Sequence, residues 1–153
     1  MNIQLKGKLI NLVAIAITGA ALLVGAGQGA AQAASQVVAR VSIGQQTMHV
    51  MVDGRLAYVW KVSTAGRGYV TPTGSFKPTR MHEMWYSRKY DNAPMPHSIF
   101  FKGGYAVHAT NQIGRLGRPA SHGCVRLHPD NAADLYQLVQ TFGPKNTSIV
   151  IVR

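Results

Sequence analysis

The chain has 153 residues, with 16 lysines and arginines against 5 aspartates and glutamates, a formal net charge of +11 at neutral pH. That length suits one ordinary domain with a single core, and a lone cysteine, Cys124, excludes a disulfide within the chain. The cationic excess favours anionic partners, but the basic residues are scattered and not interleaved with stacking aromatics, so a nucleic-acid partner is not expected.

The amino-terminal segment reads as a targeting sequence. Lys6 and Lys8 form a short basic region, residues 9–24 are almost wholly apolar, and Ala31-Gln32-Ala33 offers an A-x-A cleavage site. We therefore expect residues 1–33 to be a cleaved signal peptide and residues 34–153 to form an exported, soluble domain. The alternative is an uncleaved anchor, because residues 9–26 approach the ~20 apolar residues that span a bilayer. Without Lys6 and Lys8 the charge remains strongly positive. A cell-envelope polymer bearing carboxylates or phosphates fits such a surface, although solubility alone also accounts for it.

From Val37 the pattern alternates, with Val37, Ala39, Val41 and Ile43 on one face, and predicts a strand. Asp53-Gly54 separates two β-prone runs and suits a tight hairpin turn. The alternation expects Leu56, Tyr58, Trp60 and Val62 to share a buried face. The stretch "TAGRGYVTPTGSFKPT" is rich in Gly, Pro and Thr and reads as a turn-rich connection that enters a strand at residues 74–76. Residues 77–97 show no clear period and read as a surface loop or small flap. "HSIFFKGGYAVHAT" resumes strand character around a Gly103-Gly104 turn. One helix stands out: Pro129 suits its first position, Asp130 its positive end, and Leu135, Leu138 and Val139 form an apolar stripe that ends at Gly143-Pro144. "TSIVIV" predicts a closing, central strand. The fold class is mainly β, mostly antiparallel, with one main helix near the carboxyl end.

Chemistry concentrates at "SHGCVRL", residues 121–127. A nucleophilic thiol needs a base, donors for the oxyanion it creates, and room for substrate. His108 and His122 are candidate bases, and Gly123 would let the backbone N–H groups of Gly123 and Cys124 face a substrate oxygen. Arg126 can lower the thiol pKa or hold a carboxylate. His97 leads into the strand that ends at His108 and is a candidate pocket residue, while His49 and His82 read as surface residues. Two other readings of Cys124 stay open here: a small buried hydrophobe, or a zinc ligand with His108, His122 and His128, which lacks the usual ligand spacing.

The run from His108 through "ATNQIGRLGRPA" to Ser121-His122-Gly123-Cys124-Val125-Arg126-Leu127 resembles the histidine to S-H-G-C signature of the L,D-transpeptidases, the YkuD-type catalytic domains of bacterial cell walls. "STAG" at residues 63–66, "TPTGSF" at 71–76 and "GGYAVHA" at 103–109 are similar to further segments of that domain, in the same order. The resemblance implies a β-sandwich with a small helical supplement over residues 34–153. It implies Cys124 as nucleophile, His108 as proton acceptor and donor, Ser121, His122 and Gly123 as site-shaping and oxyanion residues, and Arg126 near substrate. Ala109 departs from the glycine or serine of many members.

By the same resemblance the substrate is a peptidoglycan stem peptide and the place of action the periplasm or cell wall, with no metal and no cofactor. The first half-reaction would release terminal D-Ala and leave a Cys124 thioester. Another stem, water, a free D-amino acid or an envelope protein could then take the acyl group, giving 3→3 cross-linking, carboxypeptidase action, exchange or protein anchoring. The non-enzymatic alternative is a wall-binding module with an inert site. Carbapenems acylate similar family members.

Overall fold

The computed structural model describes residues 36–153. The predicted signal peptide, residues 1–33, lies outside the described residues, and among those described no helix is long and apolar enough to cross a membrane.

The strand β1 (Val37–Ser42) pairs antiparallel with β2 (Thr47–Val52), which turns at Asp53 and Gly54 into β3 (Arg55–Lys61). Both turn residues have positive φ, 50° and 76°, as the tight hairpin requires. The short β4 (Gly74–Phe76) and the final β9 (Thr147–Val152) complete a five-stranded sheet in the order β3-β2-β1-β9-β4. The expected closing strand thus lies inside the sheet, parallel to β1 and antiparallel to β4.

A second sheet holds β5 (Arg80–Ser87), β6 (Ala93–Lys102), β7 (Tyr105–Ala109) and β8 (Val125–Leu127), in that order. Val37, Ala39, Val41, Val50, Ile149 and Ile151 of the first sheet join Val107, Val125 and Leu127 of the second in one buried cluster. Leu135 and Val139 of the helix α1 (Pro129–Phe142) enter the same cluster. Each fully buried valine, leucine or isoleucine among them contributes about 1.5–3 kcal/mol. The period-two pattern of β1 and the 3.6-residue stripe of α1 therefore feed one core.

The helix bounds match the expectation, and its cap adds a detail. His128 occupies the N-cap, its Nδ1 accepting from the Asp130 N–H at 3.4 Å, and Gly143 takes positive φ at the C-cap.

Two expectations are corrected. Residues 77–97 are mostly strand: β5 and β6 form a hairpin whose tip, Asp91 and Asn92, has positive φ. Pro94 and Pro96 obscure β6 because proline is rare in central strands. They are tolerated here because β7 pairs with β6 only from Ile99 to Lys102, leaving the proline segment with β5 as its one ladder neighbour. Second, Leu56 and Tyr58 are 56% and 39% exposed. β3 is a sheet edge, and an irregularity opposite Val50 and Met51 shifts its alternation so that Leu56 falls out of phase with Trp60. Pairing is mostly antiparallel, as expected; it is parallel for β1 with β9 and for β7 with β8, and the second instance builds the site.

Candidate active site

β7 and β8 lie parallel with His108 opposite Arg126 and Val107 opposite Val125. Alternation sends Val107, Val125 and Leu127 into the core and leaves His108 and Arg126 on the other face. Cys124, one residue before β8, falls in phase with Arg126. Residues sixteen positions apart in sequence, His108 and Cys124, are thereby brought to the same cleft.

The outer edge of β8 is closed by the "STAG" segment. Ser63 and Arg126 exchange backbone hydrogen bonds of 3.0 and 2.9 Å, the Thr64 carbonyl accepts from the N–H groups of Ala120 and Ser121, and Gly66 N–H donates to the Ser121 carbonyl at 2.8 Å. Buried Gln46 secures this segment in turn: its Oε1 accepts from Thr64 N–H at 2.9 Å and its Nε2 donates to the Ile43 carbonyl and Thr64 Oγ1.

Within the loop of residues 121–124, buried Ser121 works as a staple. Its Oγ accepts from Gly123 N–H at 3.0 Å and donates to the Cys124 carbonyl at 2.6 Å. The Gly123 N–H is therefore already committed, which corrects the expectation that it faces a substrate oxygen. Thr71 Oγ1 holds the next group: it accepts from Ala65 N–H and donates to the Gly123 carbonyl, both at 2.9 Å.

Gly123 itself has φ +125°, and a Cβ there would lie 2.6 Å from Tyr105 Cε1 and 2.8 Å from the Val70 carbonyl oxygen. Gly123→Ala is expected to cost about 1–3 kcal/mol in backbone strain and a similar amount in overpacking. Urea unfolding of the two proteins checks it.

His108 is buried, and its Nδ1 sits 2.7 Å from the Ala109 carbonyl oxygen. A carbonyl only accepts, so Nδ1 carries the proton and Nε2 keeps its lone pair. Ala109 thus contributes a backbone carbonyl, which needs no particular side chain. Burial drives the His108 pKa down to about 4, the Ala109 contact opposes this, and the nearby Arg126 charge adds to it. The Cys124 thiol is half-buried beside the small cluster of Met95, Phe100 and Ala106, with Sγ 3.9 Å from the Gly104 carbonyl. Burial pushes its pKa up, while a backbone hydrogen bond from Ala106 and the Arg126 charge pull it down. At neutral pH both groups of the pair are uncharged. Arg126 is held from one side, Nη1 donating to Gln112 Oε1 at 3.0 Å.

These residues line a cleft of about 420 Å³, a size suited to a small ligand. Cys124, His108, Arg126, Ser121 and His122 line it together with Lys89, Tyr90 and Asp91 at the β5–β6 tip. His122 is stacked on Tyr90 with ring centroids 4.3 Å apart and meets Tyr69 edge-on at 4.5 Å. It thereby ties the hairpin to the thiol loop.

His97 is not brought to the cleft. It adopts φ +51° in β6 and packs edge-on against Tyr136 of α1, with centroids 5.6 Å apart. His82 is half-buried against Trp85 and Phe100 and is not the surface residue expected. Among the described residues no three His, Cys, Asp or Glu side chains gather as a metal site would need, and His128 is occupied as the helix cap.

Sequence reasoning missed Gln46, Thr71, Tyr69 and Tyr90. Thr71 lies inside the quoted "TPTGSF", but its partner Gly123 is 52 residues away, and no local pattern signals that contact.

The family model described as the L,D-transpeptidase catalytic domain, YkuD, matches residues 36–151. YqjB of Bacillus subtilis (strain 168), named as a candidate L,D-transpeptidase, is 31% identical over 115 residues, covering 67% of this chain and 63% of that protein. YkuD of the same organism, named likewise, is 26% identical over 117 residues, covering 74% of this chain and 64% of that one. The solved L,D-transpeptidase from Mycobacterium smegmatis superposes with a TM-score of 0.69 at 25% identity, over 78% of this chain and 59% of its own. The match thus spans less than two thirds of each of these relatives. Sheet order, helix, cleft and family model agree, and the chain belongs to the YkuD-type L,D-transpeptidase catalytic-domain family.

Proposed function

We propose that this protein is an exported cysteine acyltransferase that acts on peptidoglycan stem peptides in the periplasm or cell wall. The observation that carries the reading is the parallel pairing of β7 with β8, which sets His108 and Cys124 on one wall of a cleft. Family membership supplies the substrate class, and the basic surface suits an anionic polymer.

In this reaction His108 Nε2 takes the proton from Cys124 Sγ as sulfur attacks the carbonyl carbon that precedes terminal D-Ala. The oxyanion that forms is met by the Cys124 N–H. As the intermediate collapses, the C–N bond breaks, and the departing D-Ala amine receives the proton from His108. A thioester remains. An amine of a second stem then attacks it, His108 takes the amine proton, and sulfur leaves and regains a proton as the new 3→3 amide forms. Arg126 holds a substrate carboxylate, with Gln112 steadying its guanidinium.

The test is intact-mass measurement of the protein incubated with a stem tetrapeptide that ends in D-Ala. We expect a tripeptidyl adduct on Cys124 with one D-Ala released, and a cross-linked dimer of two stems when acceptor is added. Turnover to tripeptide by water alone would make it a carboxypeptidase, and transfer to an added envelope protein an anchoring enzyme. Absence of any released D-Ala would overturn the acyltransferase reading.

A further inference from the structure

We propose that Thr71 is a positioning residue that aims the Cys124 N–H at the oxygen of the attacked carbonyl. The inference rests on the acyl-transfer reading above. In a trans peptide unit the C=O and N–H point in opposite directions, and the Gly123 carbonyl and Cys124 N–H share one such unit. Thr71 Oγ1 donates to that carbonyl at 2.9 Å in a buried contact, so the amide on the other end points away from Thr71.

Thr71 lies outside the cleft, beside a separate hollow lined by Ile43, Val70 and Lys102. The amide directed away from it is thus directed to the Cys124 side of the loop. Among the described residues nothing accepts a hydrogen bond from the Cys124 N–H, whereas the neighbouring Gly123 N–H is taken by Ser121 Oγ at 3.0 Å. Of the loop's amides the N–H groups of His122 and Cys124 are thus left without an acceptor among the described residues, and only that of Cys124 shares a peptide unit with the carbonyl that Thr71 holds.

A glycine on one side of a peptide unit makes that unit easy to rotate, and Gly123 already sits at φ +125°. The Thr71 hydroxyl opposes rotation. It is itself fixed, because it accepts at 2.9 Å from Ala65 N–H, in the segment that docks against Ser121. A single oxyanion donor is worth about 10²–10³ in rate, so a donor left free to turn away loses a large part of that factor.

The experiment compares two reactions of the same thiol in the full chain. Acylation by imipenem builds an oxyanion; alkylation by iodoacetamide does not. With Thr71→Val, acylation of Cys124, followed by intact mass, is expected to slow about ten-fold or more, with alkylation within about two-fold of the unmodified protein. Thr71→Ser keeps the hydroxyl and is expected to restore acylation. Should the valine variant fail to fold, Thr71→Ala removes the hydroxyl without the bulk of the second methyl, and the same split is expected there. Acylation at the original rate, or an equal fall in both reactions, would overturn the role of Thr71. If the unmodified protein takes no adduct on Cys124 from imipenem or from the tetrapeptide, the acyl-transfer reading itself falls.

Discussion

Replacing Cys124 with alanine is expected to abolish covalent capture of the stem peptide and release of D-Ala, with the fold left in place. The chain has no second cysteine to take over. Removing one half-buried sulfur beside Met95, Phe100 and Ala106 costs about 1 kcal/mol of burial, too little to unfold a domain of ordinary stability. Intact mass should show no adduct, circular dichroism an unchanged spectrum, and calorimetry a shift of only a few degrees. A variant that still released D-Ala would remove Cys124 from the chemistry altogether.

The same thiol makes a pH prediction. Burial raises its pKa above the ordinary thiol value, so little thiolate exists at neutral pH. Iodoacetamide, which needs the thiolate, should react slowly at pH 7 and faster as pH rises past the ordinary thiol range. Acylation by a bound carbonyl compound is different in the proposed mechanism, where His108 removes the proton during attack. Its rate should already be high at neutral pH and fall only as His108 becomes protonated.

What could be read from the sequence divides along a physical line. The β1 alternation, the Asp53-Gly54 turn and the Pro129 to Gly143 helix are set by local patterns and were legible. Cys124 and His108 stood out as a candidate nucleophile and base because few residue types provide that chemistry, and the fold brings both to one cleft. The β5–β6 hairpin was not legible, since its prolines contradict a strand unless one knows that β7 stops short of them. Leu56 was misplaced because a bulge leaves no mark on composition.

The amide geometry of the site was hidden for a related reason. Whether Gly123 N–H is free depends on the rotamer of Ser121, and whether the next peptide is held depends on Thr71, brought there by the turn-rich connection after β3. His97 looked equivalent to other histidines near a strand, but positive φ in β6 directs it to Tyr136 and away from the thiol.

His108→Gln is expected to lower acylation about 10²–10⁴-fold at pH 7, the usual contribution of a positioned general base. It should also change how stability depends on pH, which a mere loss of contacts would not do. The imidazole titrates at about 4 in the folded chain against 6.5 for an unperturbed histidine. On acidification the unfolded chain binds this proton first, so the stabilisation is fully present above pH 6.5 and is lost as pH falls through about 4. A shift of that size corresponds to about 3 kcal/mol. Glutamine can still donate to the Ala109 carbonyl but does not titrate, so its urea stability should vary less between pH 7 and 4 than that of the unmodified protein. Parallel acid profiles for the two proteins would mean that His108 is not held neutral by burial. The acid limb of the acylation rate would then have to lie nearer 6.5 than 4, and the picture of an uncharged thiol and imidazole pair would give way to one that is partly ionised at rest.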